Sequence, residues 1–420
     1  MEVTTMRVVD RWLGTPACAI LTLVRRLTDP FRRPPADKPR RILIVKLAEQ
    51  GATVLAYSSL RRVVEAVGRE NVFVAVFAEN RFILDLLHVI PPENVITIRT
   101  TGLVRVMLDA FGAIRRCHRE GIDSAVDFEF FAHASAILAY LSGASRRVGY
   151  HSFAGEGAYR GDLFTHRLVY NARLHAVEVF RVLVEALFLP PERLPVLDLG
   201  PLDEEPAPPF EPTAEELLEV SEIANRLLDR SQQPPLILLN VNTGDLLPLR
   251  RWPTERYVEL ACRILERYPE VAIGLTGSPD EAAGAQRVTD AIGSERCVNF
   301  GGQTTLRQLL VLYCLSEVMV TNDSGPAHYS NLTPIDVITL FGPETPAAFG
   351  SRSPHSHIFW AGIDCSPCVN AFNDRWSPCT DNVCMQRITV DQVFEKVCKV
   401  YERRRALAAG QGQSVSQLAE

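Results

Sequence analysis

The chain has 420 residues, of which 47% are hydrophobic and 22% are charged. This is enough apolar material for two domains with large cores, and it excludes an intrinsically disordered chain. The formal net charge is −6, from 44 Lys and Arg against 50 Asp and Glu, so no overall basic field points to a nucleic-acid partner.

The first 40 residues differ from the rest because they are basic and partly apolar. Residues 1–41 contain nine Lys or Arg and four Asp or Glu, and the run 13–24 is apolar between arginines. The run is too short to cross a bilayer. We predict an interfacial helix that holds residues 1–33 on an anionic membrane surface. A helix packed on the protein's own body and a signal peptide are the alternatives.

After a proline-rich segment, residues 41–200 alternate between apolar strands and amphipathic helices. The predicted strands are 41–46, 72–77, 95–98, 124–128 and 147–149, and the predicted helices are 54–67, 81–88, 103–118 and 133–141. Such alternation predicts a parallel sheet with helices on both faces. This is the first α/β domain.

Residues 201–212 are too rich in proline for regular structure, so they are the predicted linker. The same alternation returns in residues 213–388, and residues 389–420 form a C-terminal helix and tail. The predicted strands are 236–240, 271–276, 298–300, 317–321 and 336–340, separated by helices at 213–230, 254–267, 279–292 and 306–314. Two doubly wound domains in tandem place a ligand cleft between the carboxyl ends of their sheets.

A polar turn between two apolar strands stands out in the second domain. Residues 318–321 form a predicted strand, residues 322–324 are the polar turn, and a helix is predicted to begin at Gly325. The unpaired N–H groups at a helix N-terminus bind phosphate without a metal. An ordinary strand-to-helix turn, capped by Asp323 or Ser324, fits the same residues.

Together with other motifs, this turn gives the chain a family resemblance. The motifs are TNDSGPAH at 321–328, LFGP at 340–343, RRWP at 250–253, RVGY at 147–150, and IVK at 44–46 followed by Gly51. With these motifs, the chain between about residues 41 and 393 resembles glycosyltransferase family 9, the heptosyltransferase-like enzymes. The resemblance implies the GT-B fold, in which two Rossmann-like domains face each other across a cleft. It also implies inverting transfer of a sugar from a nucleoside diphosphate to a hydroxyl group.

The resemblance implies a donor site in the second domain. No two aspartates are separated by a single residue, which fits the family's metal-independent mode. The diphosphate charge would be met by the helix start at Ser324 and by Arg250, which takes the place of a family lysine. The implied donor residues are Asn242, Thr243, Gly244, Arg250, Arg251, Gly277, Asp280, Glu281, Asn299, Phe300, Asp323, Ser324, Gly325, Pro326 and His328.

Several of these residues have a plainer alternative. Arg250 and Arg251 fit a solvated loop equally well from their composition alone. Asp280 and Glu281 could be first-turn acids of the next helix, where acids are favoured.

The general base departs from the family pattern. The family carries a Gly-Asp pair in its first loop, and this chain has Gly51 followed by Ala52. Glu49 is the nearest carboxylate on that loop and is the predicted base, with Asp127 and then Glu129 as second choices. The alternative for Glu49 is an exposed loop acid.

The acceptor is expected to contact the first domain. The resemblance and the basic segment near residue 150 indicate Lys46, Gly51, Arg147, Tyr150 and His151 as acceptor-binding residues. Such a patch suits an anionic glycolipid, and a solvated loop is the alternative.

Four cysteines form a cluster within residues 365–384. Cys365 and Cys368, followed by Cys379 and Cys384, have a spacing that suits a structural zinc site. A similar cysteine-rich segment occurs in part of the family. Free thiols or disulfides are the alternatives.

The sequence thus predicts an inverting glycosyltransferase of bacterial envelope glycan synthesis, such as lipopolysaccharide synthesis, without a catalytic metal. The resemblance gives ADP-heptose as the first donor to consider and a glycolipid or polysaccharide as acceptor. The predicted location is cytoplasmic, on the inner face of the plasma membrane. Ala52 stands where the family has its general base, so a catalytically degenerate scaffold subunit is the alternative. A nucleotide-sugar epimerase is a third, weaker hypothesis.

Overall fold

The structure is a computed structural model that describes residues 3–28, 38–201, 204–244 and 247–417. It divides into two compact units: unit 1 is Met1–Pro208 with Val369–Ser377, and unit 2 is Pro209–Cys368 with Pro378–Glu420. The division after Pro208 falls inside the predicted linker 201–212. The predicted second domain is interrupted, however, because segment 369–377 belongs to unit 1.

Some predictions fall outside the described residues. They concern residues 1, 2 and 29–37 of the N-terminal extension, residues 202 and 203 of the linker, and residues 418–420 of the tail.

Unit 1 is built on one parallel sheet. Its six strands are β1 (Ile42–Val45), β2 (Val72–Phe77), β3 (Val95–Ile98), β4 (Ser124–Asp127), β5 (Arg146–Tyr150) and β6 (His166–Leu168). Its helices are α1 (Val3–Thr28), α2 (Gln50–Leu55), α3 (Tyr57–Val67), α4 (Arg81–Leu87), α5 (Leu103–Glu120), α6 (His133–Leu141) and α7 (Ala176–Leu187). The strand order is β3-β2-β1-β4-β5-β6.

The central position of β1 follows from its sequence. All four residues of Ile42–Val45 are buried, as expected for a strand covered by helices on both faces. Ile42 lies beside Val72 in β2 and beside Ser124 in β4. The predicted helix 54–67 is interrupted at Ala56, which separates α2 from α3.

Unit 2 repeats the arrangement. Its strands are β7 (Leu236–Asn240), β8 (Ala272–Leu275), β9 (Cys297–Asn299), β10 (Val318–Asn322), β11 (Asp336–Phe341) and β12 (Ser356–Trp360), in the order β12-β11-β10-β7-β8-β9 and all parallel. Its helices are α8 (Ala214–Leu228), α9 (Thr254–Arg267), α10 (Ala282–Ile292), α11 (Leu306–Cys314), α12 (Gly325–Tyr329), α13 (Pro346–Phe349), α14 (Val383–Gln386) and α15 (Val390–Gln417).

The C-terminal helix α15 packs on unit 2. The buried carboxylate of Asp336, at the start of β11, accepts hydrogen bonds from Arg403 at 2.6 Å and from Arg404 at 3.1 Å. Arg404 also pairs with Glu317 at 2.8 Å. These ion pairs fix α15 beside the sheet of unit 2.

The N-terminal helix α1 packs on unit 1 through small and polar residues. The Asp10 carboxylate accepts hydrogen bonds from the backbone N–H groups of His133, at 3.0 Å, and Ala134, at 2.7 Å, so it caps α6. Cys18 is fully buried, and Thr22 accepts a hydrogen bond from the Asp162 N–H at 2.8 Å. Leu21 packs partly buried against the core, whereas seven large apolar side chains of α1 are exposed: Val8, Trp12, Leu13, Ile20, Leu23, Val24 and Leu27. Among the described residues, no helix is long and apolar enough to span a membrane.

Candidate functional site

The predicted polar turn lies at the carboxyl end of β10, in the middle of the unit 2 sheet. Asn322, which is fully buried, accepts a hydrogen bond from the Trp252 N–H at 2.9 Å and donates to the Val241 and Asn242 carbonyls at 3.3 Å. The Asp323 N–H donates to the Leu340 carbonyl at 3.0 Å. One side chain therefore ties the loop after β7 and the loop before α9 to the end of β10.

Beside this turn, one arginine lies between two buried carboxylates. The Arg250 Nη1 atom is 3.7 Å from Asp323 Oδ2 and 3.6 Å from Glu344 Oε2. Both carboxylate side chains are only 3% exposed, and that of Arg250 is 11% exposed. Both distances are longer than hydrogen bonds, and the Arg250 Nε and Asp323 Oδ2 atoms lack hydrogen-bond partners among the described residues. The arginine thus lies near both carboxylates, and its buried Nε atom is left without a hydrogen-bond partner among the described residues.

The charge of this cluster limits what it can bind. His328 Nε2 lies 3.9 Å from Asp323 Oδ1, so a protonated His328 would bring this group of two acids and two bases to neutrality. With a neutral His328, the carboxylates of Asp323 and Glu344 exceed the single guanidinium of Arg250 within the group. A dianionic ligand would then depend on Arg250 and on nearby backbone N–H groups.

The helix after the turn is too short to have a large dipole. It covers only Gly325–Tyr329, with Pro326 in its first turn, and the Ser324 hydroxyl does not cap it but donates to the Asn322 carbonyl at 3.2 Å. A single turn has little macrodipole. The expected phosphate binding by a helix N-terminus is therefore reduced to the unpaired N–H groups of this turn.

The loops after β7 and β8 also meet. Asn242 has a buried Nδ2 atom without a partner among the described residues, and a Cβ added at Gly277 would lie 3.0 Å from it. Thr243 is buried, and Gly244 adopts φ +63°, which favours glycine. Buried Thr276, at the end of β8, likewise has a hydroxyl without a partner among the described residues. These loops offer polar atoms that a ligand could use.

Several of the implied donor residues have other surroundings. The Glu281 carboxylate accepts a hydrogen bond from the Ser278 N–H at 2.9 Å, so it is a first-turn capping acid. Asn299 is satisfied by the Ala282 carbonyl and the Gly301 N–H, and Phe300 is fully buried in the core rather than available to stack on a base. Arg251 is exposed. Asp280 is also exposed, on the turn that precedes α10.

In unit 1 the first loop is held by a carboxylate from the end of β4. The Lys46 ammonium lies 3.0 Å from Glu129 Oε1, and the Ala48 N–H donates to the same oxygen at 2.9 Å. Lys46 and Gly51 are both buried. Glu129, a second-choice base, is therefore committed to shaping this loop.

The predicted base has an unexpected partner. Glu49 adopts φ +67°, a conformation uncommon outside glycine, and its carboxylate pairs with the guanidinium of Arg375 in the segment 369–377. The Arg375 side chain is 12% exposed, and burial lowers its pKa to about 10. Phe372 of the same segment packs its ring 5.7 Å from that of Phe131. The structure therefore shows Glu49 as part of an ion pair, which differs from the exposed loop acid of the alternative.

The second-choice base Asp127 is enclosed and does not fit that role. Its side chain has no exposed surface, and its oxygens accept hydrogen bonds from the Glu129 N–H at 2.9 Å, the Ser135 hydroxyl at 3.0 Å and the Arg160 guanidinium at 2.5 Å. Burial raises the pKa of Asp127, and the Arg160 charge acts in the opposite direction. A carboxylate without solvent contact cannot reach an acceptor hydroxyl, so this choice is corrected.

Two of the predicted acceptor residues are also buried. The Arg147 guanidinium donates to the Leu163 carbonyl at 2.6 Å, and the Tyr150 hydroxyl donates to the Val179 carbonyl at 2.8 Å. Both side chains are no more than 2% exposed, so they are structural in this conformation. His151 is half-buried, and burial lowers its pKa. Of Arg147, Tyr150 and His151, only His151 has appreciable solvent contact.

The four clustered cysteines lie in unit 2. Burial raises the pKa of Cys384 to about 11, and the thiols of Cys368, Cys379 and Cys365 act in the same direction. Within the described parts of the chain, however, no group of three His, Cys, Asp or Glu side chains is placed to hold a metal ion. These four described cysteines form no disulfide, and zinc binding stays a prediction.

Sequence reasoning missed three residues of these clusters. Asn322 belongs to the motif but was not assigned a role, although a polar residue at the end of a buried strand is a usable signal. Glu344 follows the LFGP motif immediately. Arg375 gives no local signal, because it lies 326 residues from Glu49.

Comparisons with known proteins agree with this arrangement. A family model described as glycosyltransferase family 9 (heptosyltransferase) matches residues 130–375. Lipopolysaccharide heptosyltransferase 2 of Salmonella typhimurium is 32% identical over 102 residues, which are 24% of this chain and 29% of that protein. The matched chain thus spans less than a third of the length of this curated relative.

Solved structures share the fold at low sequence identity. The structure of ADP-heptose lps heptosyltransferase II of E. coli has a TM-score of 0.63 and 18% identity, covering 87% of this chain and 99% of that chain. A family 9 glycosyltransferase of Veillonella parvula has a TM-score of 0.65 and 16% identity, covering 87% and 98%. These likenesses confirm the predicted GT-B class of two Rossmann-like α/β domains. Because the family model also covers more than half of the residues, the chain belongs to glycosyltransferase family 9 (heptosyltransferase).

Proposed function

We propose that this protein is an inverting, metal-independent glycosyltransferase of bacterial envelope glycan synthesis. It transfers a sugar from a nucleoside diphosphate to a hydroxyl group of a lipid-linked or polysaccharide acceptor. The observation that carries the proposal is the Arg250 cluster at the carboxyl end of the central strand β10, the position where doubly wound sheets bind ligands. ADP-heptose is the donor to test first, since the E. coli protein that shares the fold is an ADP-heptose lps heptosyltransferase.

On the donor side, the chemistry requires a group that stabilises the departing diphosphate. The sequence has no Asp-x-Asp motif, so we assign this task to Arg250 and to the N–H groups after Asp323. The Arg250 Nε atom has no hydrogen-bond partner among the described residues and suits a phosphate oxygen. Asn322 acts as a positioning residue, because it fixes the two loops that flank the arginine.

On the acceptor side, a carboxylate must take the proton of the attacking hydroxyl. We assign this role to Glu49. The acceptor oxygen forms a bond to the anomeric carbon as the bond from that carbon to the phosphate oxygen breaks, and the hydroxyl proton passes to the Glu49 carboxylate. Arg375 holds this carboxylate in its present position, and the carboxylate must turn from the guanidinium to reach the acceptor.

The proposal is tested by two measurements. Nucleoside diphosphates should raise the unfolding temperature of the purified protein, because a ligand that binds only the folded state stabilises it. Glu49→Gln should abolish sugar transfer and leave diphosphate binding intact. If the purified protein neither binds nor turns over any nucleotide-sugar, the proposal is wrong.

A second candidate is a catalytically inactive scaffold of a polysaccharide assembly complex. It is favoured by Ala52, which replaces the expected aspartate, and by the engagement of Glu49 with Arg375. The scaffold would bind a nucleotide-sugar without transferring the sugar. If wild type and Glu49→Gln are equally inactive on a panel of acceptors, the scaffold is the better description.

We further propose that residues 1–33 hold the protein on the cytoplasmic face of the plasma membrane, beside a glycolipid acceptor. The outward apolar side chains of α1, such as Trp12 and Leu13, support this proposal. Exposed Arg11 and Arg26 would meet anionic headgroups.

We also propose a structural zinc ion at Cys365, Cys368, Cys379 and Cys384. Four cysteine thiols fit Zn²⁺ in kind and number, although their side chains would have to turn to form a tetrahedral shell. The ion would supply a fixed local structure and no reaction step. Metal analysis should find one zinc per chain, and Cys368→Ser should lower that content. Metal-free protein with an unchanged unfolding temperature would refute the site.

A further inference from the structure

Exposed apolar side chains in the described part of the chain are concentrated on two helices. Twelve of the 22 exposed large hydrophobic residues belong to α1 and α5, which have 26 and 18 residues. Scattered exposed apolar residues are normal, but such a concentration on a protein surface marks an interaction site. Helix α5 was not part of the predicted membrane-binding segment.

The exposed apolar side chains of α5 lie in its first half, beside the exposed Arg105, and exposed basic side chains follow in its second half. The exposed apolar residues are Leu103, Val104, Met107, Leu108 and Phe111, with Val104 72% and Phe111 60% exposed. Their spacing of three and four residues places them on one stripe. In the last two turns of α5, Arg115 and Arg119 are exposed instead.

The inner face of α5 has its own apolar residues. Ala113 and Cys117 are buried, and Val106 and Ile114 pack partly buried against the same core. The outer stripe is therefore additional to the residues that attach the helix to the sheet. It contributes nothing to the core of unit 1.

Helices α1 and α5 belong to one layer on one face of the unit 1 sheet. Cys18 from α1, Cys117 from α5 and Ala136 from α6 share a single core cluster with Leu43 and Val45 of β1. Helix α6 packs against both α1 and α5. The outward stripes of α1 and α5 thus flank α6 on the same side of unit 1.

We infer that α5 is the second membrane-binding element and that the α1–α6–α5 layer forms one docking face for an anionic lipid surface. The inference rests on the proposed membrane association of α1. The apolar stripe of α5 enters the headgroup boundary, and Arg115 and Arg119 contact anionic headgroups.

Charge favours a lipid surface over a second copy of the chain. The acids nearest these faces are engaged inside unit 1: Asp109 accepts hydrogen bonds from Arg99 at 2.7 and 2.8 Å, and Asp10 caps α6. Arg26 and Arg119 are 70% and 73% exposed, although each has an acid nearby, Asp162 at 3.9 Å and Glu120 at 3.3 Å. The exposed Arg11, Arg105 and Arg115 add further positive charge to the two helices. A second copy of this face would add like charge, whereas anionic lipid supplies the opposite charge.

The test is flotation of the full-length protein with vesicles of phosphatidylcholine, alone or mixed with phosphatidylglycerol. Variant A replaces Val104, Met107 and Phe111 with Gln, which removes apolar surface and keeps a good helix former. Variant B replaces Trp12 and Leu13 with Gln. The control replaces Leu218, which is 63% exposed on α8 in unit 2, with Gln.

Wild type and the control should float with the anionic vesicles. Variant A should bind these vesicles at least about tenfold more weakly than wild type, because it lacks three apolar side chains at the interface. Arg115→Gln with Arg119→Gln should reduce the preference for phosphatidylglycerol. Unchanged unfolding temperature and nucleoside diphosphate binding would show that variant A is folded. If variant A does lose stability, Met107→Glu alone replaces it.

Three results would overturn the inference. If variant A floats like wild type while variant B does not, α1 anchors the protein alone and α5 has no part. If wild type forms a dimer by light scattering and variant A is monomeric without change in flotation, the face binds a second copy. If wild type floats with neither type of vesicle, the proposed membrane association of α1 fails as well.

Discussion

Replacing Arg250 with Ala gives a direct test of the donor site. The side chain lies 3.7 Å from Asp323 and 3.6 Å from Glu344, so its guanidinium faces both carboxylates. Its removal affects the empty site and the ligand-bound site differently. Ligand binding loses a cation, and the folded protein loses a neutralising partner of two buried acids.

Both effects can be given a magnitude. One or two charge-assisted hydrogen bonds to phosphate are worth about 1.5 to 3 kcal/mol, which weakens binding of a nucleoside diphosphate roughly 10- to 100-fold. Removing one partner of a buried ion pair costs about 3 kcal/mol or more in the free energy of unfolding. Because Asp323 and Glu344 are 3% exposed, solvent does little to reduce that cost.

The assay is calorimetric titration with ADP, beside urea unfolding without ligand. Arg250→Lys should keep most of the stability and lose part of the affinity, since ammonium lacks the guanidinium's planar fork. Arg251→Ala, a change at the exposed neighbour, is the matched control and should alter neither quantity. A folded Arg250→Ala protein that binds ADP as tightly as wild type would refute the assigned role.

Three further predictions concern unit 1. Burial lowers the pKa of His166 to about 4. Because the unfolded chain takes up a proton at this histidine at a higher pH than the folded protein does, the free energy of unfolding should fall by roughly 3 kcal/mol as the pH drops from about 6.5 to 4. In His166→Gln, the urea midpoint should depend less on pH over this range. Arg160→Met leaves Asp127 buried without its cation and should lower stability by about 3 to 5 kcal/mol, with Asp127→Asn in the same chain restoring part of the loss. Gly161→Ala places a Cβ 2.7 Å from the Cys18 carbonyl at φ +62°, so hydrogen exchange should show α1 detached while unit 2 exchanges as before.

Most strands could be predicted from sequence because nearly all of their residues are apolar, whereas a half-exposed strand alternates apolar and polar residues. Strands β2 and β7 were predicted with the bounds found in the structure. The missed strand β6 is only three residues long and contains the exposed Arg167, and the missed β12 is an edge strand with no fully buried residue. Short edge strands lack the pattern on which prediction depends.

The site was harder to predict because its contacts are long-range and its polar residues are partly structural. Arg147 looked like a surface cation, as arginines usually are, but its guanidinium donates hydrogen bonds to backbone carbonyls inside unit 1. Phe300, an implied donor residue, is fully buried in the core. In contrast, the predicted strand, polar turn and helix around Asp323 are present in the structure, since a turn after a buried strand is a local feature.

The assignment of residues 369–377 to unit 1 bears on how this protein could be recombined with its relatives. The chain passes from one unit to the other after Pro208, after Cys368 and again after Ser377. A chimera joined only near residue 208 would therefore take its first 208 residues from one parent and the partner of Glu49 from the other. Grafting Val369–Ser377 together with the N-terminal half would keep Glu49 and Arg375 from the same parent. Exchanging a whole unit between this protein and a relative thus requires joining the two sequences at three positions, after residues 208, 368 and 377.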